Sequence, residues 1–432
     1  MRRLLLAMIS ALGCCGSHSA EAPAGVYDRD PEHLWNRLYR AVATRTTDGV
    51  EFGSDNSEPY LSPVEDVARL NAVLDEFLAD NGRSRFPGDL PQALLLNDVW
   101  AAFDLAATRD ADKPLQQKLA RAVGKLRMPA AAIAALPDNY AHAVTRGSFA
   151  KDFNPAQPDT PFLPADLFDP NGPWVQIDRQ DYPGLVAPFH VIGLSGRSTF
   201  QVFIRCPGGR KATLEYLQTL NLYRTPWSVE PAEIARVEPT GEPVRRSPLR
   251  LNNATPQFPA GTMVALVRRM VVIDERLEPV PTPITQSVQL RVYKKVGDGE
   301  DSYTLESIGT RQSVYDFVMR RRDLLAGRAG GLHAVARDER EYRQSHDPRV
   351  AEIARAREHR VGPVVLATCR RCHQSDGVFS VLSYNQMLDP NRSGNPQLLP
   401  AVDPDSQRTS AVQWKKRQFD WGLLRGLLEA QR

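Results

Sequence analysis

Thr199-Phe200-Gln201-Val202-Phe203-Ile204 is the stretch on which the fold class turns. Its β-branched and aromatic residues, interrupted only by Gln201 and Arg205, lead up to Cys206 and the Pro207-Gly208-Gly209 turn, and this reads as a strand. Val264 to Ile273 and Val288 to Val296 read as two more, and Val175 to Ile177 as a fourth, with Pro, Asp and Gly punctuating the intervals. Leu214, Leu217 and Leu220 mark one inserted helix. Residues 148–319 are therefore expected to form a β-rich, sandwich-like domain. Upstream, residues 31–147 carry apolar side chains at three- and four-residue spacing, in Val64, Val67, Leu70, Val73, Leu74, Phe77 and Leu78 and again from Leu94 to Leu105, which predicts a helical domain. Asp89 ahead of Pro91 starts one of its helices, and Asn81-Gly82 ends the one before. Residues 320–432 read as a basic, mainly helical region. Its last helix is expected from about Ser410 to Gln431, with Trp414, Trp421, Leu424 and Leu428 on one stripe. The fold class is then α+β and multidomain.

Composition narrows the function classes. The chain has 432 residues, 42% apolar and 24% charged, and 54 basic against 51 acidic side chains leave a net charge of +3. That is ordinary globular composition, and the charge is too small to suggest nucleic acid as a partner. Mean hydropathy is −0.38. Beyond the first dozen residues no apolar run reaches the roughly 18 residues a membrane helix needs, so no transmembrane span is expected in the mature chain. Neither a phosphate cradle nor a nucleophile elbow occurs: Pro207-Gly208-Gly209-Arg210 is a turn, and Leu194-Ser195-Gly196 lacks the glycine two residues before the serine. His33 and His142 are isolated, which argues against a metal in the helical domain.

The N-terminus points to export. Met1-Arg2-Arg3 is a basic start, Leu4 to Leu12 an apolar core, and small or polar residues follow from Gly13 to Ala24. Residues 1–20 read as a signal peptide cleaved after Ala20, giving a soluble periplasmic product. Ala11-Leu12-Gly13-Cys14 also resembles a bacterial lipobox, which would leave Cys14 lipidated and the protein anchored to a membrane. Both forms stay open.

Of five cysteines, Cys14 and Cys15 fall in the leader. Cys206 reads as a small core residue. Cys369 and Cys372 stand in Cys369-Arg370-Arg371-Cys372-His373, the C-x-x-C-H pattern of covalent haem c attachment. Two thiols three residues apart on one helical turn each add to one vinyl group of the porphyrin, and the next residue brings an imidazole to the iron. The rival uses of two near thiols fit less well. A thioredoxin-like site would need a further ββα unit that the proline-rich remainder lacks. Zinc would need a fourth ligand, and a plain disulfide leaves His373 without a role.

At these residues the sequence is similar to c-type cytochromes, and Gln374-Ser375-Asp376-Gly377 resembles the polar, glycine-containing stretch that follows the haem histidine in that family. The resemblance covers about 70 residues. It implies one covalent haem c, one-electron transfer, maturation outside the cytoplasm and helices packed against the haem. Cys369, Cys372 and His373 would hold the cofactor. Met387 is the distal candidate, and its loop-like surroundings permit ligation without requiring it. His333, His346 and His359 are upstream rivals for that position. An open sixth position would instead suit a haem enzyme or gas sensor, and a non-redox periplasmic binding or scaffold role for the β-rich domain is a third reading. The expected partner is a redox protein. From Arg320 to Arg371 arginine outnumbers acid, so this stretch is either a solvated face with its own ion pairs or a docking face for an acidic partner. The final helix is expected to pack on the haem segment.

Overall fold

The computed structural model describes residues 25–47, 50–52, 64–80, 88–108, 112–179, 184–223, 227–229, 234–237, 243–245, 249–251, 254–294, 311–336, 338–343, 362–365, 377–386 and 398–430. The elements in chain order begin with α1 (Leu34–Ala43), β1 (Arg45–Thr47), β2 (Val50–Phe52), α2 (Val64–Ala79), α3 (Asp89–Thr108), α4 (Lys113–Leu126), α5 (Ala130–Ala134) and α6 (Asn139–Thr145). There follow β3 (Val175–Asp178), α7 (Pro188–Gly193), β4 (Ser198–Arg205), α8 (Gly209–Leu222), β5 (Trp227–Val229), β6 (Ile234–Val237), β7 (Pro243–Arg245), β8 (Leu249–Leu251), β9 (Met263–Ile273) and β10 (Pro279–Tyr293). The chain continues with β11 (Gln312–Met319), α9 (Arg321–Leu325), β12 (Leu332–Ala334), β13 (Arg340–Arg343), β14 (Gly362–Val365), α10 (Phe379–Gln386), β15 (Leu399–Pro400), α11 (Ser406–Lys416) and α12 (Phe419–Glu429).

The structure mixes helix and sheet around one seven-stranded antiparallel sheet in the order β12-β11-β10-β9-β4-β3-β15. The expected sandwich is not what forms, because these strands run in one continuous sheet with helices packed on both of its faces. The reason is visible in β4, where every residue except Arg205 is buried. Phe203 enters one core, together with Ala265, Val267 and Leu290. Phe200, Val202 and Ile204 enter the other, with Val175, Ile177 and Val264. Alternate residues of a strand point to opposite faces, so a strand apolar on both sides needs cover on both.

The first face is covered by α1 to α6 and by α12, through residues such as Trp35, Leu74, Trp100, Leu119, Tyr140 and Leu424. The second is covered by α7, α8, α10 and α11, through Val191, Leu217, Phe379, Leu382 and Ala411. Residues from the expected helical, β-rich and basic regions thus meet in one first-face core.

The final helix is a correction. The chain breaks at Arg417 and Gln418 into α11 and α12, and the expected stripe divides with it: Trp414 packs against the second core, while Trp421, Leu424 and Leu428 join the first. The Trp421 ring lies 5.7 Å from that of Trp100. A continuous helix would set Lys415 and Asp420 about 140° apart round its axis. The break lets them pair at 2.7 Å.

The bulge in β10 has its own support. Pairing with β9 shifts register on either side of Thr285. There the Asn139 side chain takes over, accepting from the Thr285 backbone N–H at 2.7 Å and donating to its carbonyl at 3.0 Å. Asn139 Nδ2 also donates to the Gly330 carbonyl at 2.9 Å. A Cβ at residue 330 would collide with the Asn139 carbonyl oxygen, so only glycine fits that approach.

Candidate functional site

Cys369, Cys372, His373 and Met387 lie outside the described residues, as do Cys14, His346, His359 and the expected leader. What is described is the framework on either side. Upstream, β14 ends at Val365 and pairs antiparallel with β13, Arg340 opposite Val365 and Arg343 opposite Gly362. Downstream, the described residues resume at Gly377, four positions after His373 in the sequence.

From Gly377 the chain enters the second core. Val378 is fully buried and Phe379, Ser380 and Leu382 nearly so. Gly377 has φ +50°, and its carbonyl accepts from Ser380 Oγ at 2.8 Å, which turns the chain into α10. The Val378 N–H donates to Gln257 Oε1 at 3.3 Å, and the hydroxyls of Ser380 and Tyr293 are hydrogen-bonded to each other. Burial pushes the Tyr293 phenol up, so it stays neutral at physiological pH. Its ring belongs to an aromatic row: Tyr293 to Phe258 is 5.0 Å and Phe258 to Tyr216 is 5.3 Å between centroids. Farther along, Asn221 Nδ2 donates to the Leu398 carbonyl at 2.7 Å. Cys206 is a buried free thiol in the same core, and burial raises its pKa, the opposite of what a reactive thiolate needs.

The first face holds charges instead. In α3 every residue from Ala93 to Ala107 is buried, including Asn97, Asp98 and Asp104. Each is answered from far along the chain. Asn97 Nδ2 donates to the Val271 carbonyl at 2.9 Å. Asp98 pairs with buried Arg321, whose guanidinium lies 5.0 Å over the Tyr39 ring. Asp104 meets Lys415 Nζ at 2.7 Å and Arg197 Nε at 3.2 Å, and Lys415 also meets Asp420 at 2.7 Å. Both Lys415 and Asp104 are 0% exposed. Burial raises the Asp104 carboxyl to about 7, with Lys415 opposing the rise.

His333, an upstream rival for the distal position, is on β12 at the sheet edge and paired elsewhere, with Glu339 at 3.0 Å. Three arginines of the basic stretch are likewise engaged within the fold: Arg320 with Glu339 at 3.2 Å, Arg321 with Asp98, and Arg328 with Asp323 at 2.6 Å.

Among the described residues no group of three or more His, Cys, Asp or Glu side chains is placed to hold a metal ion, and no helix is long and apolar enough to cross a membrane. No protein-family model, curated protein or solved structure matches the chain. The buried ion pairs were missed in the sequence, although α3 carries their signal: a helix apolar on all sides must be buried, and carboxylates within it need partners.

Proposed function

We propose that the chain is an exported, single-haem c-type protein that transfers one electron at a time to or from a partner redox protein. The observation that carries this is the order Cys369-x-x-Cys372-His373, with a basic and apolar leader at the N-terminus of the same chain. The donor set suits the group: two thiols for thioether bonds and an imidazole for the iron, with Met387, the residue after α10, as the distal candidate. A covalently held haem supplies reversible one-electron chemistry at iron.

The chain's own part is to hold and shield. The thiols fix the attachment point. Val378, Phe379 and Leu382 bury the segment that follows it, and Gln257 and Tyr293 hold that segment by its backbone and by Ser380. Because those contacts are neutral, they add no fixed charge beside the redox centre. Of the described arginines in this stretch, Arg321 is buried against Asp98 and out of reach of the expected acidic partner, whereas Arg320 and Arg328 pair with Glu339 and Asp323 nearer the surface. The protein is expected in the periplasm, soluble or anchored through Cys14.

The test is a haem spectrum of the denatured protein after expression together with cytochrome c maturation machinery. The proposal predicts a thioether-haem spectrum at one haem per chain, lost in the Cys369→Ala, Cys372→Ala double variant. Haem that extracts into acid solvent, or none, would overturn it.

A further inference from the structure

The stretch ahead of α1 is built into the fold. Asn36, buried on α1, grips it by its backbone: Oδ1 accepts from the Tyr27 N–H at 2.8 Å, and Nδ2 donates to the carbonyls of Asp28 at 2.8 Å and Asp30 at 2.6 Å. Tyr27 is buried with its ring edge-on to that of Tyr39 at 5.6 Å, and Val26 packs against the same core. The tie reaches back to Gly25. A Cβ at that position would overlap the Asn36 amide and the Asp28 carbonyl, and the amide, fixed by its hydrogen bonds, cannot step aside without losing them. A cut anywhere from Gly25 to Asp30 would tear this strap from α1. A leader compatible with the fold therefore ends at or before Ala24.

Within that limit the sequence offers two alanines. A leader is cut where small side chains occupy the first and third positions before the broken bond. Ahead of the cut expected after Ala20, the third position is His18, which is not small. Ahead of a cut after Ala24 it is Ala22, so Ala22-Pro23-Ala24 has alanine at both. The charges agree with this polarity. From Leu4 to Asn36 there are four acids, Glu21, Asp28, Asp30 and Glu32, against one base, Arg29, whereas Arg2 and Arg3 precede the apolar core. Basic flanks stay on the cytoplasmic side, which sends the chain beyond the core outward.

We propose that the leader is residues 1–24 and that a signal peptidase hydrolyses the Ala24–Gly25 bond, leaving Gly25 as the first residue of a soluble protein. Water supplies both halves of the exchange: its hydroxyl goes to the Ala24 carbonyl carbon, which leaves as a carboxylate, and its proton goes to the Gly25 nitrogen, which becomes the mature amino terminus. The strap that Asn36 holds is then kept whole, with nothing of the leader attached to it. The cut presupposes export, the reading proposed above.

The experiment produces the full chain in a bacterium, isolates the periplasmic protein and identifies its N-terminal peptide by mass spectrometry after trypsin. The expected peptide is Gly25-Val26-Tyr27-Asp28-Arg29, which trypsin alone does not generate, because Ala24 precedes it. Ala24→Leu should abolish that peptide, and Ala20→Leu should leave it unchanged. Both variants lie outside the mature chain, so its folding does not confound the result. A mature protein that begins at Glu21 or at a lipid-modified Cys14, or loss of the peptide in Ala20→Leu, would overturn the cut and leave export standing. A chain that keeps residues 1–24 and remains in the cytoplasm would overturn export as well.

Discussion

On the first face of the sheet Asp98 and Asp104 are deep in an apolar helix and are met by Arg321, Lys415 and Arg197. On the second face, Val378, Ser380 and Leu398 are fastened by Gln257, Tyr293 and Asn221, all neutral. The difference is one of how much breaking each tie costs. A buried ion pair that loses one partner leaves an uncompensated charge, whereas a lost neutral hydrogen bond costs far less. The first face is therefore built to stay closed, and α11, which packs on the second core through Ala411 while sending Lys415 to Asp104, rivets the two faces together. The segment that follows the C-x-x-C-H motif is held by ties that yield first.

The largest way to break this comparison is Lys415→Met. It leaves Asp104 with Arg197 alone and Asp420 without its cation, and should lower unfolding free energy by about 3–5 kcal/mol in urea titrations. Adding Asp104→Asn to that variant should recover part of the loss. A single-variant effect below about 1 kcal/mol would show that the rivet does not hold.

Asn139→Ala comes next. It strips the partners from both backbone groups of Thr285 and from the Gly330 carbonyl and should cost about 2–3 kcal/mol, read in the same titrations. The second-face counterpart, Tyr293→Phe, removes one hydroxyl bond and should cost about 1 kcal/mol. Its mark should be local, with faster amide hydrogen exchange in α10 than in α3. Uniform acceleration across both helices would erase the distinction between the faces.

The smallest effect is on pH dependence. The Asp104 carboxyl ionises near its usual value when unfolded and at about 7 when folded. Between those values the folded chain binds more protons than the unfolded one, so this group makes stability fall as pH rises from about 4 to about 7. Asp104→Asn should remove that component, measured as the change in unfolding free energy across the interval. An unchanged slope would mean that Lys415 and Arg197 outweigh the burial.

Much of the secondary structure is legible in the residues. The strands at Ser198–Arg205 and Met263–Ile273 follow their β-branched runs, and α8 follows Leu214, Leu217 and Leu220. β10 begins at Pro279, well before the expected Val288: Pro279 and Pro281 stand opposite Ile273 and Val271 of β9, and the residue at 283, also proline, falls where that pairing is interrupted. What the residues hid was the layer arrangement. A strand buried on both faces and one half of a sandwich have similar composition, and only the supply of apolar helices on both sides decides between them. The break at Arg417 and Gln418 was hidden for a related reason: the pull of Asp104 on Lys415 comes from α3, remote in the chain. Of the proposed site, the C-x-x-C-H pattern is written in Cys369, Cys372 and His373. The contacts that hold the segment from Gly377, made by Gln257 and Tyr293, come from separate stretches of chain that no local pattern connects.

The central claim is tested most directly by mass spectrometry of the peptide spanning Cys369 to His373, taken from protein produced in a periplasm equipped for cytochrome c maturation. The account predicts that peptide with the mass of one haem added through its two cysteines. The same peptide recovered unmodified, with free or disulfide-linked thiols, would contradict it.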